Sequence, residues 1–427
     1  MLSQALPQDH PQRLELANEV HARPHEALHT PERASYVAVT FKGDQRDAER
    51  GHLAKLCAAF GVAVPHPDAN HLVAELGELR LKWERHAEFS GYTFFVRGLT
   101  GREFEAPASA SLPPDWLAAI PGQTIVAAHA VIDRWDGDRI CAAAIRRYFP
   151  DDGVVGAEIG EGAGYAFADF RIREDGFERF LVLDRELTPR QAGRMTQRLF
   201  EIEAYRVMAL FALPVARELA PRTVEIEQAL TSLTAQISHS RDGDEALLAS
   251  LTNLAARVEN AIDASQYRFS AGRAYYDLVC SRIGELRERA LPGIQTIDEF
   301  MTRRLAPAMA TCASASERLR NLSERVAQAS GLLSTRVEIT REKQNQALLA
   351  SMDRRARLQL RLQETVEGLS VAAITYYGAG LVGYVASGVH VAGVPVQHDI
   401  AVAVAIPVIA ILVALALRRV RRKLGSE

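Results

Sequence analysis

Two apolar runs near the C-terminus decide how the rest of the chain is read. The first is Leu369-Ser370-Val371-Ala372-Ala373-Ile374-Thr375-Tyr376-Tyr377-Gly378-Ala379-Gly380-Leu381-Val382-Gly383-Tyr384-Val385-Ala386-Ser387-Gly388-Val389. After a loop at 390–399 comes the second, Ile400-Ala401-Val402-Ala403-Val404-Ala405-Ile406-Pro407-Val408-Ile409-Ala410-Ile411-Leu412-Val413-Ala414-Leu415-Ala416-Leu417. Neither run contains an Asp, Glu, Lys or Arg. Each is close to the ~20 residues that carry a helix across a bilayer, where lipid leaves the backbone no hydrogen-bond partner but itself. The pair therefore reads as a two-helix transmembrane hairpin within an anchoring region at 366–423.

The flanks orient it. Arg354, Arg355, Arg357 and Arg361 precede the first span; Arg418, Arg419, Arg421, Arg422 and Lys423 follow the second; the loop between has no Lys or Arg. The excess of cations on both long flanks predicts that both termini are cytoplasmic and that the loop faces outward. Residues 1–23 are polar and contain no apolar core, so insertion is expected to rest on the hairpin.

Working back from the first span, residues 308–365 contain no proline. One helix through them would measure about 87 Å at 1.5 Å per residue, a stalk leading into the membrane. Leu319, Leu322, Val326, Ala329 and Leu333 keep a 3-4-3-4 spacing along it, a short coiled-coil-like seam. Nearly everything from 187 to 365 reads as helical, punctuated at Pro221, Asp242-Gly243, Pro292-Gly293 and Pro307. Thr188-Pro189-Arg190-Gln191 has the residues of a helix start: a hydroxyl cap, a proline at the first position, and Gln three residues after the cap.

Before residue 187 the pattern is that of an α/β domain, giving the chain an α+β class overall. Strands are expected at 35–42, 92–97 and 124–133, and a helix at 44–61. Leu79, Leu81 and Trp83 alternate with Arg80, Lys82 and Glu84, which predicts a half-buried strand with its charges in water. A hairpin is expected at 167–184, turning at Asp175-Gly176. The glycine run 160–164 lacks the following helix that a phosphate loop needs and reads as a hairpin loop.

The totals exclude some classes. With 427 residues, a net charge of −3 and four scattered cysteines, the chain shows no basic bias toward nucleic acid and no zinc-type Cys spacing. His21, His25 and His29 recur at helical spacing and are the candidate metal ligands, but Pro24 interrupts the series. No Ser/His/Asp or Cys/His arrangement emerges, so no enzymatic chemistry and no cofactor is assigned. In the first span Thr375, Ala379, Gly383 and Ser387 form a small-residue stripe suited either to close helix packing or to lining a pore. The expected partners are the lipid bilayer and further copies of the chain.

Five stretches carry a family resemblance: Asn18-Glu19-Val20-His21-Ala22-Arg23-Pro24; Lys82-Trp83-Glu84-Arg85-His86-Ala87-Glu88-Phe89; Leu187-Thr188-Pro189 with Ala192-Gly193-Arg194; Tyr267-Arg268-Phe269-Ser270-Ala271; and Gln363-Glu364-Thr365-Val366-Glu367-Gly368-Leu369-Ser370-Val371. Together they resemble a bacterial family of membrane-anchored proteins, domain-of-unknown-function family 3422. The resemblance implies the bacterial inner membrane as location and singles out His21, Arg23, Pro24, Trp83, His86 and Arg194; it implies no activity. In architecture alone the chain is also similar to the CorA magnesium-transporter superfamily. That similarity implies a homo-oligomer around the first span and, as the alternative function, a cation channel or transporter with a divalent cation as its ligand. Its Gly-Met-Asn signature is missing: the corresponding stretch here is Gly383-Tyr384-Val385-Ala386-Ser387-Gly388-Val389.

Overall fold

The computed structural model describes residues 7–14, 16–17, 25–42, 45–67, 69–101, 104–137, 140, 142–150, 153–239, 243–391 and 397–424. By their contacts these fall into two units, Met1–Ser240 with Ala249–Ala329, and Arg241–Leu248 with Ser330–Glu427.

The first unit is built on a nine-stranded sheet. In chain order the strands are β1 (Glu32–Thr40), β2 (His71–Leu76), β3 (Leu79–Arg85), β4 (Phe89–Arg97), β5 (Gln123–Arg134), β6 (Val155–Ile159), β7 (Gly164–Ala168), β8 (Glu178–Asp184) and β9 (Arg289–Ala290). Their order across the sheet is β2-β3-β4-β1-β5-β8-β7-β6-β9. Every pairing is antiparallel except β5 with β8, where Ala130 lies opposite Phe180. Two short helices belong to this part, α1 (Gln45–Ala59) and α2 (Ala142–Arg146). The glycine run at 160–164 joins β6 to β7 as a hairpin, with Gly160 and Gly162 at positive φ. Residues 169–177 link β7 to β8, a wider connection than a two-residue turn, although Asp175 accepts the Phe177 amide at 3.0 Å.

Both faces of the sheet are covered. Alternate residues of β1 divide between two cores: Ala34, Tyr36 and Ala38 on one side, Val37 and Val39 on the other. The second side receives Leu53, Leu56 and Cys57 of α1 with Trp83, Tyr92, Phe94 and Trp116. The first receives α3 (Pro189–Leu210), through Met195, Leu199, Phe200, Ile202 and Met208. This corrects the expectation for residues 79–85. Lys82 and Glu84 are buried, not solvated, because α3 lies over the face their side chains share.

Thr188 caps α3 as its sequence predicts: its hydroxyl accepts the Gln191 amide at 3.3 Å while the Gln191 side chain accepts the Thr188 amide at 2.9 Å. The helix ends at Leu210, and α4 (Ala212–His239) begins at once. Pro221 does not punctuate the chain as expected, for α4 runs through it. Helix α5 (Asp244–Leu286) follows, then α6 (Ile297–Arg304), capped by Thr296, and α7 (Ala306–Val391). In the first unit, Leu319 of α7 packs with Ala212, Ala216 and Leu219 of α4 and Phe269 of α5, and Leu322 and Val326 are buried as well. Arg318 forks onto Glu227, and Ser323 donates to Glu259 at 2.6 Å. The leucine-rich seam thus begins on helices of its own chain.

In the second unit Leu333 and Val337 are buried, and Arg336 holds Asp244 with two nitrogens, Nε at 2.7 Å. Helix α7 continues without a break through the first apolar run, and α8 (His398–Leu424) carries the second. Both helices are long and apolar enough to cross a membrane.

Candidate functional site

Three of the five stretches that carry the family resemblance have described residues along α3, on the sheet face opposite Trp83. At its N-terminal end α3 meets the chain that follows residue 24. Pro189 accepts the Leu28 amide at 2.9 Å, and Gly193 touches the backbone at Glu26 so closely that an added Cβ would stand 1.6 Å from the Glu26 carbonyl oxygen. Only glycine fits there, which explains a glycine inside a helix that otherwise disfavours it.

One turn further on, the buried Lys82 ammonium sits between the Glu84 carboxylate at 3.0 Å and the Gln197 amide oxygen at 2.8 Å. Gln197 donates to Glu201 at 2.6 Å; Arg282 of α5 binds the other oxygen of Glu201 and reaches Glu285 at 2.7 Å; Arg198 closes the chain on Glu285 at 2.6 Å. A second link lies nearby, where Arg268 of α5 forks onto Glu88 at 2.7 and 3.2 Å. His86 stacks on Phe89 and meets the edge of Tyr205. Gln197, Arg198 and Glu201 of α3 thus form an ionic clasp between sheet and helix α5. Buried charges are tolerated only when paired in this way.

The remaining positive charge gathers at the start of the clasp. Burial lowers the His25 pKa, and so do Arg194, Lys82, Arg190 and Arg198 around it. The Arg194 Nε is buried without a hydrogen-bond partner. This environment repels a cation. His25 and His29 lie in a non-helical segment, and among the described residues no group of three His, Cys, Asp or Glu side chains is placed to hold a metal. His21, Arg23 and Pro24 lie outside the described residues.

Trp83 points the other way, into the α1 side of the sheet, where its indole donates to Glu49 at 2.9 Å beside the Tyr92 hydroxyl. Trp83 and His86 therefore do not share a cleft. Sequence reasoning did not join Lys82 to Gln197 or Glu201 to Arg282, pairs that lie far apart in the chain.

The small-residue stripe belongs to the second unit. Thr375, Ala379 and Gly383 are buried. A Cβ at Gly383 would meet His398 at 2.8 Å and Val402 at 3.1 Å, and one at Gly378 would meet Ile409 at 3.2 Å. His398 Nδ1 lies 3.1 Å from both the Gly383 carbonyl oxygen and the Ser387 hydroxyl. The stripe is turned toward α8, whereas Tyr376, Tyr377 and Tyr384 are exposed.

A mixed α+β chain with a charge-clasped sheet, long helices and two apolar C-terminal helices is what these features define. It matches the family described as "Protein of unknown function (DUF3422)" over residues 8–424, and belongs to that family. No curated protein and no solved structure matches it.

Proposed function

We propose that the chain is a membrane-anchored, self-associating protein of the bacterial inner membrane. Its hairpin is the anchor, and its sheet-and-helix unit is a cytoplasmic recognition domain. The observation that carries this reading is the closure of the two apolar helices on each other through Gly378 and Gly383 against Ile409, Val402 and His398. Small residues at such contacts let helix backbones approach in lipid. Cations flank both helices on the same side, which favours cytoplasmic termini.

A stripe already occupied by its own chain's second helix supports an anchor more than a pore wall. Self-association is supported by Tyr376, Tyr377 and Tyr384, whose exposed phenols would lie within the apolar span and gain from a protein neighbour there. The ionic clasp along α3 then serves to fix the recognition domain as one body. Alkaline carbonate extraction tests the anchor, and liposomes holding the purified protein test the alternative. The proposal expects the chain in the membrane pellet and no divalent-cation flux above that of empty liposomes. Release into the carbonate supernatant contradicts the anchor. Flux that bulky substitution of Gly383 or Ala379 abolishes contradicts the reading in favour of the channel.

A further inference from the structure

Two arginines of the first unit that pair with no described acid, Arg171 and Arg304, line one groove. It has a volume of about 590 Å³ and lies between the β7–β8 connection, α3 and α6. Arg171 comes from the connection, Arg206 from α3 and Arg304 from the end of α6.

Arg206 is held from behind. Its Nε donates to Glu203 at 2.8 Å, and Nη2 donates to the other oxygen of the same carboxylate. Nη1 is left without a hydrogen bond to any described residue. Behind it Glu178 is pushed up to about 9 by burial and by Glu203, against the pull of Arg206. Glu178 therefore carries a proton near neutrality, so that Arg206 faces one carboxylate charge instead of two. The one acid in the lining, Asp169, is occupied by Arg173 at 2.8 and 2.6 Å. Arg171 and Arg304 are exposed, and their guanidinium groups pair with no described residue.

Beside Gln295, the wall also carries apolar side chains. The Phe170 and Phe300 rings stack with centroids 5.0 Å apart, next to Leu210, Met301 and Leu305. Three guanidinium groups beside an aromatic pair match the fork geometry of a carboxylate or phosphate attached to an apolar body. The volume lies in the range of small-molecule sites.

We propose that this groove binds a small organic anion, a carboxylate or phosphate monoester bearing a ring-sized apolar group. The groove has the size of a small-molecule site, about 590 Å³, so an extended polyanion does not fit it.

Isothermal calorimetry on the full chain in nonionic detergent tests this with phenyl phosphate, inorganic phosphate and phenol as probes. Phenyl phosphate should bind, inorganic phosphate about tenfold more weakly, and phenol not measurably. Arg171→Gln and Arg304→Gln alter exposed side chains and should each weaken phenyl phosphate about tenfold, with unchanged melting; Arg320→Gln, on another face, should not. No binding by parent protein that melts normally overturns the proposal. So does equal affinity in the Arg171 and Arg304 variants, and so does inorganic phosphate binding as tightly as phenyl phosphate.

Discussion

Lys82 and Glu84 show how a residue's surroundings overrule its pattern. Their alternation with Leu81 and Trp83 is that of a strand with one wet face, yet Lys82 is 3% exposed and Glu84 8%. Removing one partner of a buried pair leaves the other charge unanswered, which typically costs about 3–5 kcal/mol. Lys82→Met should therefore lower the melting temperature sharply, and adding Glu84→Gln should recover part of the loss. Melting curves of the two variants against the parent check this.

Glu178 gives a pH dependence of definite sign. Its folded-state value, about 9, lies above the ordinary 4.5. The folded state thus holds a proton that the unfolded chain releases. The stabilisation this provides is complete below about 4.5 and declines as pH rises through about 9. Glu178→Gln should flatten that decline in a series of melts between pH 5 and 9. At this scale the sequence conveyed the residue types and not their partners. It could not convey that Lys82 meets Gln197, or Glu201 meets Arg282, because side chains that pair across a fold leave no local spacing.

Elements with a local cause were the legible ones. Thr188 and Gln191 form the cap that their spacing predicts, and the apolar runs at 369–389 and 400–417 lie within α7 and α8. The reading failed where a neighbour changed the outcome. Pro221 lies inside α4 although proline removes a helix hydrogen bond. The strand at 79–85 lost its wet face to α3. In the hairpin, the direction in which the stripe faces is a property of two helices and could not be read from one. Gly383 and Gly380 separate the possibilities: a Cβ at Gly383 would press on His398, whereas one at Gly380 would have nothing within 4 Å. Gly383→Leu should lower the melting temperature in detergent and Gly380→Leu should leave it nearly unchanged; an equal effect would mean that the stripe does not bear the contact.

At the scale of the whole molecule, two features underlie the proposal of a membrane protein with a large body outside the lipid. The first unit holds the nine-stranded sheet, with cores on both its faces, and the second holds both apolar helices. Cys280 supplies a native reporter for the side of the membrane on which the first unit lies: it is exposed on α5, while Cys57 and Cys312 are buried. The measurement is labelling of a variant that keeps Cys280 as its one cysteine, using a membrane-impermeant maleimide on intact cells and on inside-out vesicles. The account predicts labelling in the vesicles and none in intact cells; labelling of intact cells would contradict it.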